Sequence, residues 1–203
     1  MFRILESKFI TSAVKSDQYP ASAFQDFAFV GKSNVGKSSM INTVLNRKAI
    51  AKVSGKPGKT RLVNFFEIRF KTLENEDIGF VNFVDLPGYG FAKVSKGDRA
   101  AWKKMIMTYF EERVHLGGVF VLVDIRHKAD PKDILMIEMM KESKIPFAVI
   151  ATKSDKIVQS KIQLTCQKLK VGLGLTDQEI IPFSSLKKKG IDKVINWIGS
   201  KTI

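Results

Sequence analysis

Cysteine is almost absent from this chain: Cys166 stands alone among 203 residues, so no internal disulfide can form. His115 and His127 are the only histidines, and with one thiol they do not make up a zinc ligand set. Long apolar runs are missing too. A stretch such as Val119 to Val123 is far short of the roughly 20 residues that span a bilayer, so no membrane span is expected. The N-terminus carries Arg3, Glu6 and Lys8 where a secretory signal has an apolar core, which points to a cytoplasmic protein. No repeat, low-complexity tract or linker marks a boundary, and 203 residues suit one α/β core rather than two. Residues 1–203 therefore read as a single domain, with residues 1–25 as an edge strand or strapping arm.

Acidic residues are also in deficit. Against 34 Lys and Arg stand 20 Asp and Glu, a formal charge of +14, and a field of that sign favours polyanionic partners such as nucleic acid. The bias is uneven: residues 151–203 hold ten lysines against four acids, whereas residues 101–150 are nearly balanced. A solvated lysine-rich surface accounts for the same numbers, so charge alone leaves both readings open.

Six short apolar runs bounded by turn residues predict strands: Phe27 to Val30, Val63 to Phe70, Ile78 to Val84, Val119 to Asp124, Phe147 to Ala151 and Ile180 to Phe183. Helical spacing predicts helices over Lys37 to Leu45, Asp98 to Arg113, Pro131 to Ser143, Ile157 to Gly172 and Ile191 to Ile203. Alternating strands and helices imply βαβ crossovers and a six-stranded, mostly parallel sheet covered on both faces. One pair departs from this, because Lys71 to Asp77 is too short for a crossover helix; Val63 to Phe70 and Ile78 to Val84 should form an antiparallel hairpin. Asn46 to Arg61 and Pro87 to Gly97 lack periodicity and read as mobile loops.

Gly31-Lys32-Ser33-Asn34-Val35-Gly36-Lys37-Ser38 follows the first of these strands and opens a helix, which is the pattern and context of a phosphate-binding loop. Backbone N–H groups and a helix N-terminus cradle phosphate oxygens there. Lys37 is positioned in this motif to reach the β and γ phosphates, and Ser38 to place its hydroxyl on Mg²⁺. Thr152-Lys153-Ser154-Asp155 closes a later strand. The Asp155 carboxylate can accept two hydrogen bonds from guanine N1–H and its 2-amino group, donors that adenine lacks, and the Lys153 stem can cover the base. Phe183-Ser184-Ser185 is the segment whose backbone N–H can meet the 6-oxo group. Asp85-Leu86-Pro87-Gly88 follows another strand, offering a carboxylate for water-mediated metal binding and a Gly amide for the γ-phosphate. Thr60, within Gly58-Lys59-Thr60-Arg61-Leu62, is the second hydroxyl expected on Mg²⁺. Lys37, Thr60 and Gly88 are thus the expected catalytic set, acting on GTP.

The segments G-K-S-N-V-G-K-S-S, K-P-G-K-T, V-D-L-P-G-Y-G-F-A-K-V-S, T-K-S-D and F-S-S resemble the EngB (YihA/YsxC) GTPases of the Era-like group, over nearly the whole chain. The resemblance implies a Ras-like G domain, GTP and GDP as ligands, and a switch acting in large ribosomal subunit assembly. It also implies an associated need in cell division and septation. Such a protein is expected to be a monomer that contacts the large subunit or its precursor; Lys187-Lys188-Lys189, Lys93, Lys96 and Arg99 are candidates for rRNA phosphate contact. Thr152 stands where the Ras pattern has Asn, so a side-chain amide contact beside the base is weakened or lost. Tyr89 stands where Ras-like proteins carry a water-orienting Gln, so intrinsic hydrolysis is expected to be slow, about 10⁻⁴ to 10⁻² s⁻¹. Asn34 either shapes the loop or, by the same resemblance, contributes to a K⁺ site. A self-assembling septal protein is the alternative reading, and an ATP-using P-loop kinase lacks a recognisable acceptor site and lid.

Overall fold

The computed structural model describes residues 2–51, 62–89, 96–176 and 180–202. Seven strands form one sheet: β1 (Phe2–Ala13), β2 (Gln25–Gly31), β3 (Val63–Thr72), β4 (Ile78–Asp85), β5 (Leu116–Asp124), β6 (Phe147–Thr152) and β7 (Ile180–Pro182). Their order is β1-β3-β4-β2-β5-β6-β7. Only β3 runs against the rest: it pairs antiparallel with both β1 and β4, while every pairing from β4 to β7 is parallel. The six apolar runs are thus all strands, and β1 adds a seventh at the edge beside the hairpin. Exposed Leu5, Phe9 and Ile10 alternate poorly with its polar residues, and two register shifts interrupt its pairing with β3. Both features blur the period-2 signal.

Five helices cover the sheet: α1 (Lys37–Val44), α2 (Lys96–Glu112), α3 (Pro131–Glu142), α4 (Ile162–Gly172) and α5 (Ile191–Thr202). Alternate residues of the central strands divide between two cores. Ala28, Val30, Val119, Val121 and Val149 pack with Tyr109 of α2, Met136 and Met140 of α3 and Leu169 of α4. Phe27, Phe29, Phe120, Leu122 and Ile150 pack with Met40 and Ile41 of α1 and Val194 and Ile198 of α5. Burial on both faces explains why these strands read as continuous apolar runs rather than as alternation. Each fully buried Phe, truncated to Ala, costs about 3–5 kcal/mol.

Two predicted helix boundaries need correction. The helix expected from Ile157 starts at Ile162, because Ile157 is extended, Val158 is not helical, and two short 3₁₀ turns, Ser154–Lys156 and Gln159–Lys161, precede it. Ile157 is apolar because it packs against the core from the turn. The loop expected from Pro87 to Gly97 ends two residues early, at the start of α2, a shift of the size at which helix boundaries drift. Residues 52–61 and 90–95, the greater part of both predicted loops, lie outside the described residues.

At the end of β2 away from the phosphate loop, Asp26 is fully buried. It accepts hydrogen bonds from Arg113 Nε at 2.7 Å, Tyr109 Oη at 2.9 Å and Asn82 Nδ2 at 2.9 Å, and Arg113 also reaches the Pro20 carbonyl at 3.1 Å. This pair ties the arm before β2 to the end of α2. Removing one member leaves an uncompensated buried charge, so Asp26→Ala should lower unfolding free energy by about 3–5 kcal/mol in denaturant titration. A change under about 1 kcal/mol would show the network to be solvated.

Candidate nucleotide site

Parallel pairing delivers the ends of β2, β4, β5, β6 and β7 to one edge of the sheet, where ligands of open α/β folds bind. β2 runs directly into the turn Lys32–Gly36, and α1 begins at Lys37 with Gly36 as its N-cap. Gly36 has φ 107° and Asn34 φ 62°. The left-handed region is open to Gly and tolerated by Asn, so both residues suit the backbone that the loop adopts. Lys37 Nζ pairs with Asp85 Oδ1, which brings the loop lysine and the carboxylate ending β4 into contact. Ser38, the second residue of α1, is partly exposed.

The carboxylate segment is laid against the phosphate loop by backbone bonds. Leu86 N–H donates to Phe29 O at 3.1 Å, Tyr89 N–H to Gly31 O at 3.2 Å, and Ser33 N–H to Tyr89 O at 3.0 Å. A Cβ on Gly88 would stand 3.2 Å from Gly31 O, Ser33 N and Ser33 Oγ, so a larger residue there would push the two segments apart by a few tenths of an ångström. The Tyr89 side chain turns away into the protein. It is 6% exposed, its hydroxyl donates to Asp133 Oδ1 at 2.7 Å, and its ring meets Trp102 edge-on. Trp102 in turn donates to Pro87 O at 2.9 Å. Burial, reinforced by the Asp133 charge, pushes the Tyr89 phenol well above its ordinary pKa, so it stays protonated as a donor. The second Asp133 oxygen takes Lys32 Nζ at 3.1 Å, which also reaches Asp130 at 2.9 Å. Burial raises the Asp133 pKa against the opposing effect of those two donors.

On the other flank, Thr152 is buried and its hydroxyl lies 2.7 Å from Val35 O and 3.0 Å from Val123 O. It clasps the phosphate loop to β5 from inside the protein. Lys153, at φ 60°, stretches across so that Nζ donates to Asn34 O at 2.8 Å and pairs with Asp124 at 2.9 Å. Burial favours the neutral form of Asp124, but Arg126 and Lys153 outweigh it and hold the carboxyl well below the usual range. Asp155 accepts a hydrogen bond from Ser184 Oγ at 2.7 Å, Ser154 N–H donates to Phe183 O at 3.0 Å, and Ser185 follows at the partly buried end of this segment. The two sequence segments T-K-S-D and F-S-S thus form one unit, reaching the phosphate loop through Lys153.

A cavity of 270 Å³ lies beside the loop, lined in part by Lys32, Asn34, Asp124, Lys128 and Leu173. Its lining does not include Lys37 or Asp155, and Lys32 and Asp124 are already paired within it, so it flanks the site rather than forming it. Gly58, Lys59, Thr60 and Arg61, like Lys93, lie outside the described residues, and Leu62 is partly buried just ahead of β3. No motif in the sequence marks Asp124, Asp133 or Trp102. Asp124 ends a strand as Asp85 does, but nothing in a single sequence pairs it with Lys153 29 positions later.

A family model described as a 50S ribosome-binding GTPase matches residues 26–153. A probable GTP-binding protein EngB from Clostridium botulinum (strain Eklund 17B / Type B) is 48% identical over 195 residues, 96% of this chain and 94% of that protein. The chain belongs to the EngB family of GTP-binding proteins. A crystal structure of a probable EngB superposes with a TM-score of 0.65 over 87% of this chain and 98% of that one, at 24% identity, and therefore supports the fold. Era in complex with MgGDPNP and nucleotides of 16S ribosomal RNA aligns with TM-score 0.66 at 27% identity, covering 89% of this chain and 57% of that one. As an EngB-family P-loop GTPase, the chain binds GTP and carries the family's capacity to hydrolyse it. No helix among the described residues is long and apolar enough to cross a membrane.

With its ring buried against Trp102, the tyrosine is a structural anchor and not a water-orienting group. Tyr89→Phe should therefore cost about 1–2 kcal/mol of stability for the lost hydroxyl bond, with GTP hydrolysis within about threefold of wild type. A hydrolysis rate that falls by orders of magnitude would instead assign the phenol to the reaction.

Proposed function

We propose that this protein is a Mg²⁺-dependent GTP switch in large ribosomal subunit assembly, with an associated need in cell division and septation, acting in the cytoplasm as a monomer. The observation that carries the reading is the bond from Lys153 Nζ to Asn34 O. It joins the segment bearing Asp155 to the loop that cradles phosphate, so base and phosphate recognition act on one ligand.

In this reading Gly31 to Ser38 hold the phosphates by backbone N–H groups, and Lys37 spans the β and γ phosphates. The pairing of Lys37 with Asp85 supports a shared task at that point. A hydroxyl and carboxylate donor set fits a hard divalent cation: Ser38 and Thr60 would hold Mg²⁺ directly and Asp85 through water. When bound, the cation neutralises charge developing on the phosphate oxygens. Gly88 offers its N–H to the γ-phosphate, and the loops 46–61 and 87–97 carry the outcome to the partner. Asp155 reads guanine, with the Phe183-Ser184-Ser185 backbone on the 6-oxo group. Slow hydrolysis follows from the anchored Tyr89, and acceleration comes from K⁺ near Asn34 or from the ribosomal particle. The basic surplus supplies salt-sensitive affinity for rRNA, and the Era complex with ribosomal RNA is a related protein in which such binding is seen.

Asp155→Asn tests the base assignment. Losing a charged acceptor of two hydrogen bonds should weaken GTP binding by about a hundredfold or more, while affinity for xanthosine triphosphate rises because its 2-oxo group accepts from the new amide. Unchanged GTP affinity would overturn the assignment. For the switch, binding to large-subunit precursors should fall steeply across a salt series and depend on a GTP analogue; indifference to both would remove the ribosomal reading. Equal single-turnover rates in K⁺ and Na⁺ would remove the cation from it.

A further inference from the structure

The turn after β7 carries three consecutive lysines, Lys187, Lys188 and Lys189, all exposed. Its shape is closed by reciprocal backbone bonds between Ser184 and Lys189, each 3.1 Å, and by Lys188 at φ 50° and Gly190 at φ 90°. A side chain at Gly190 would meet the Pro182 carbonyl at 2.6 Å. Among the described residues none of the three ammonium groups has an acidic partner; Lys189 Nζ reaches only Gln159 Oε1, at 3.3 Å. Exposed Lys156 and Lys161 flank the same segment. A rigid turn with unneutralised charge is suited to the phosphate backbone of a nucleic acid, where little side-chain ordering is added to the cost of binding.

The turn is joined to the candidate base-reading carboxylate by a single hydroxyl. Ser184 is fully buried; its Oγ accepts from Lys187 N–H at 3.0 Å and donates to Asp155 Oδ1 at 2.7 Å. Lys187 thus contributes both a cationic side chain outside and an amide whose acceptor orients Asp155 inside. We propose that the Lys187–Lys189 turn is a docking site for RNA phosphates, and that its occupancy loosens the Ser184 bond to Asp155 and speeds release of guanine nucleotide. A phosphate seated on the turn competes for the Lys187 N–H, and the freed serine hydroxyl is no longer held toward the carboxylate. This rests on the reading of Asp155 as the guanine acceptor.

The test is stopped-flow release of a fluorescent GDP analogue from the full chain, with and without a short RNA hairpin. RNA should speed release by about tenfold in the wild type. Lys187→Gln with Lys188→Gln should weaken RNA binding by about tenfold and reduce the salt slope by about two, leaving RNA-free release unchanged. Ser184→Ala should release nucleotide about tenfold faster without RNA, bind RNA more tightly than wild type because nothing competes for the Lys187 N–H, and lose the RNA effect. Equal RNA affinity in the double lysine variant, or undiminished acceleration in Ser184→Ala, overturns the proposal. So does the same acceleration by anionic phospholipid vesicles, which would make the partner a lipid surface. If Asp155→Asn binds GDP as tightly as wild type, the guanine reading has failed; if it does not and RNA still leaves release unchanged, only the coupling has failed.

Discussion

Parallel hydrogen bonding of β2 between β4 and β5 is the constraint on which the rest of the site depends. That register sets Phe29 opposite Asp85 and Gly31 opposite Leu122, and the next pairing sets Asp124 opposite Thr152. Carboxylates at the ends of β4 and β5 and the phosphate loop at the end of β2 therefore emerge together. Two aromatic and aliphatic cores clamp these strands from both sides, so the edge is held by buried surface. The site itself can then be built from polar groups whose net contribution to stability is small.

Polar groups are spent differently at the two ends of the sheet. Away from the site, Asp26 is saturated by Arg113, Tyr109 and Asn82, and no further ligand can compete for it. At the site edge, Lys153, Asp124 and Lys32 are paired but partly exposed, and Lys37 contacts Asp85 through one oxygen. Partial exposure keeps the cost of separating the Lys32 and Lys153 pairs low, which suits groups able to exchange partners, whereas Lys37 and Asp85 are largely buried.

The two departures from the Ras pattern acquire structural roles. Thr152 lacks the amide that a guanine-binding Asn supplies, yet its hydroxyl binds Val35 and Val123 carbonyls and so retains the link between base and phosphate segments. Tyr89 lacks the amide that orients water, and its phenol instead fastens the segment after β4 to α3 through Asp133. In both cases the side chain turns into the protein and fixes the position of its own segment.

The strands, the antiparallel hairpin and the phosphate loop were legible in residue order because each depends on local signals: apolar runs, a seven-residue connection and a fixed motif. The place of Asp155 just past a strand end was legible because a carboxylate followed an apolar run. Long-range partners left no such trace. Asp133 met Lys32 and Tyr89, and Ser184 met Asp155, only once the crossovers had folded α3 beside the loop and β7 beside β6. The start of α4 lies later than helical spacing predicts because Ile157 packs half-buried against the core from a turn, and hydrophobicity records burial without recording backbone shape. The sequence by itself determined the order of elements and the chemistry at each strand end. Tertiary structure alone decided which of those groups touch, because the sheet order, and not separation along the chain, sets distance in space.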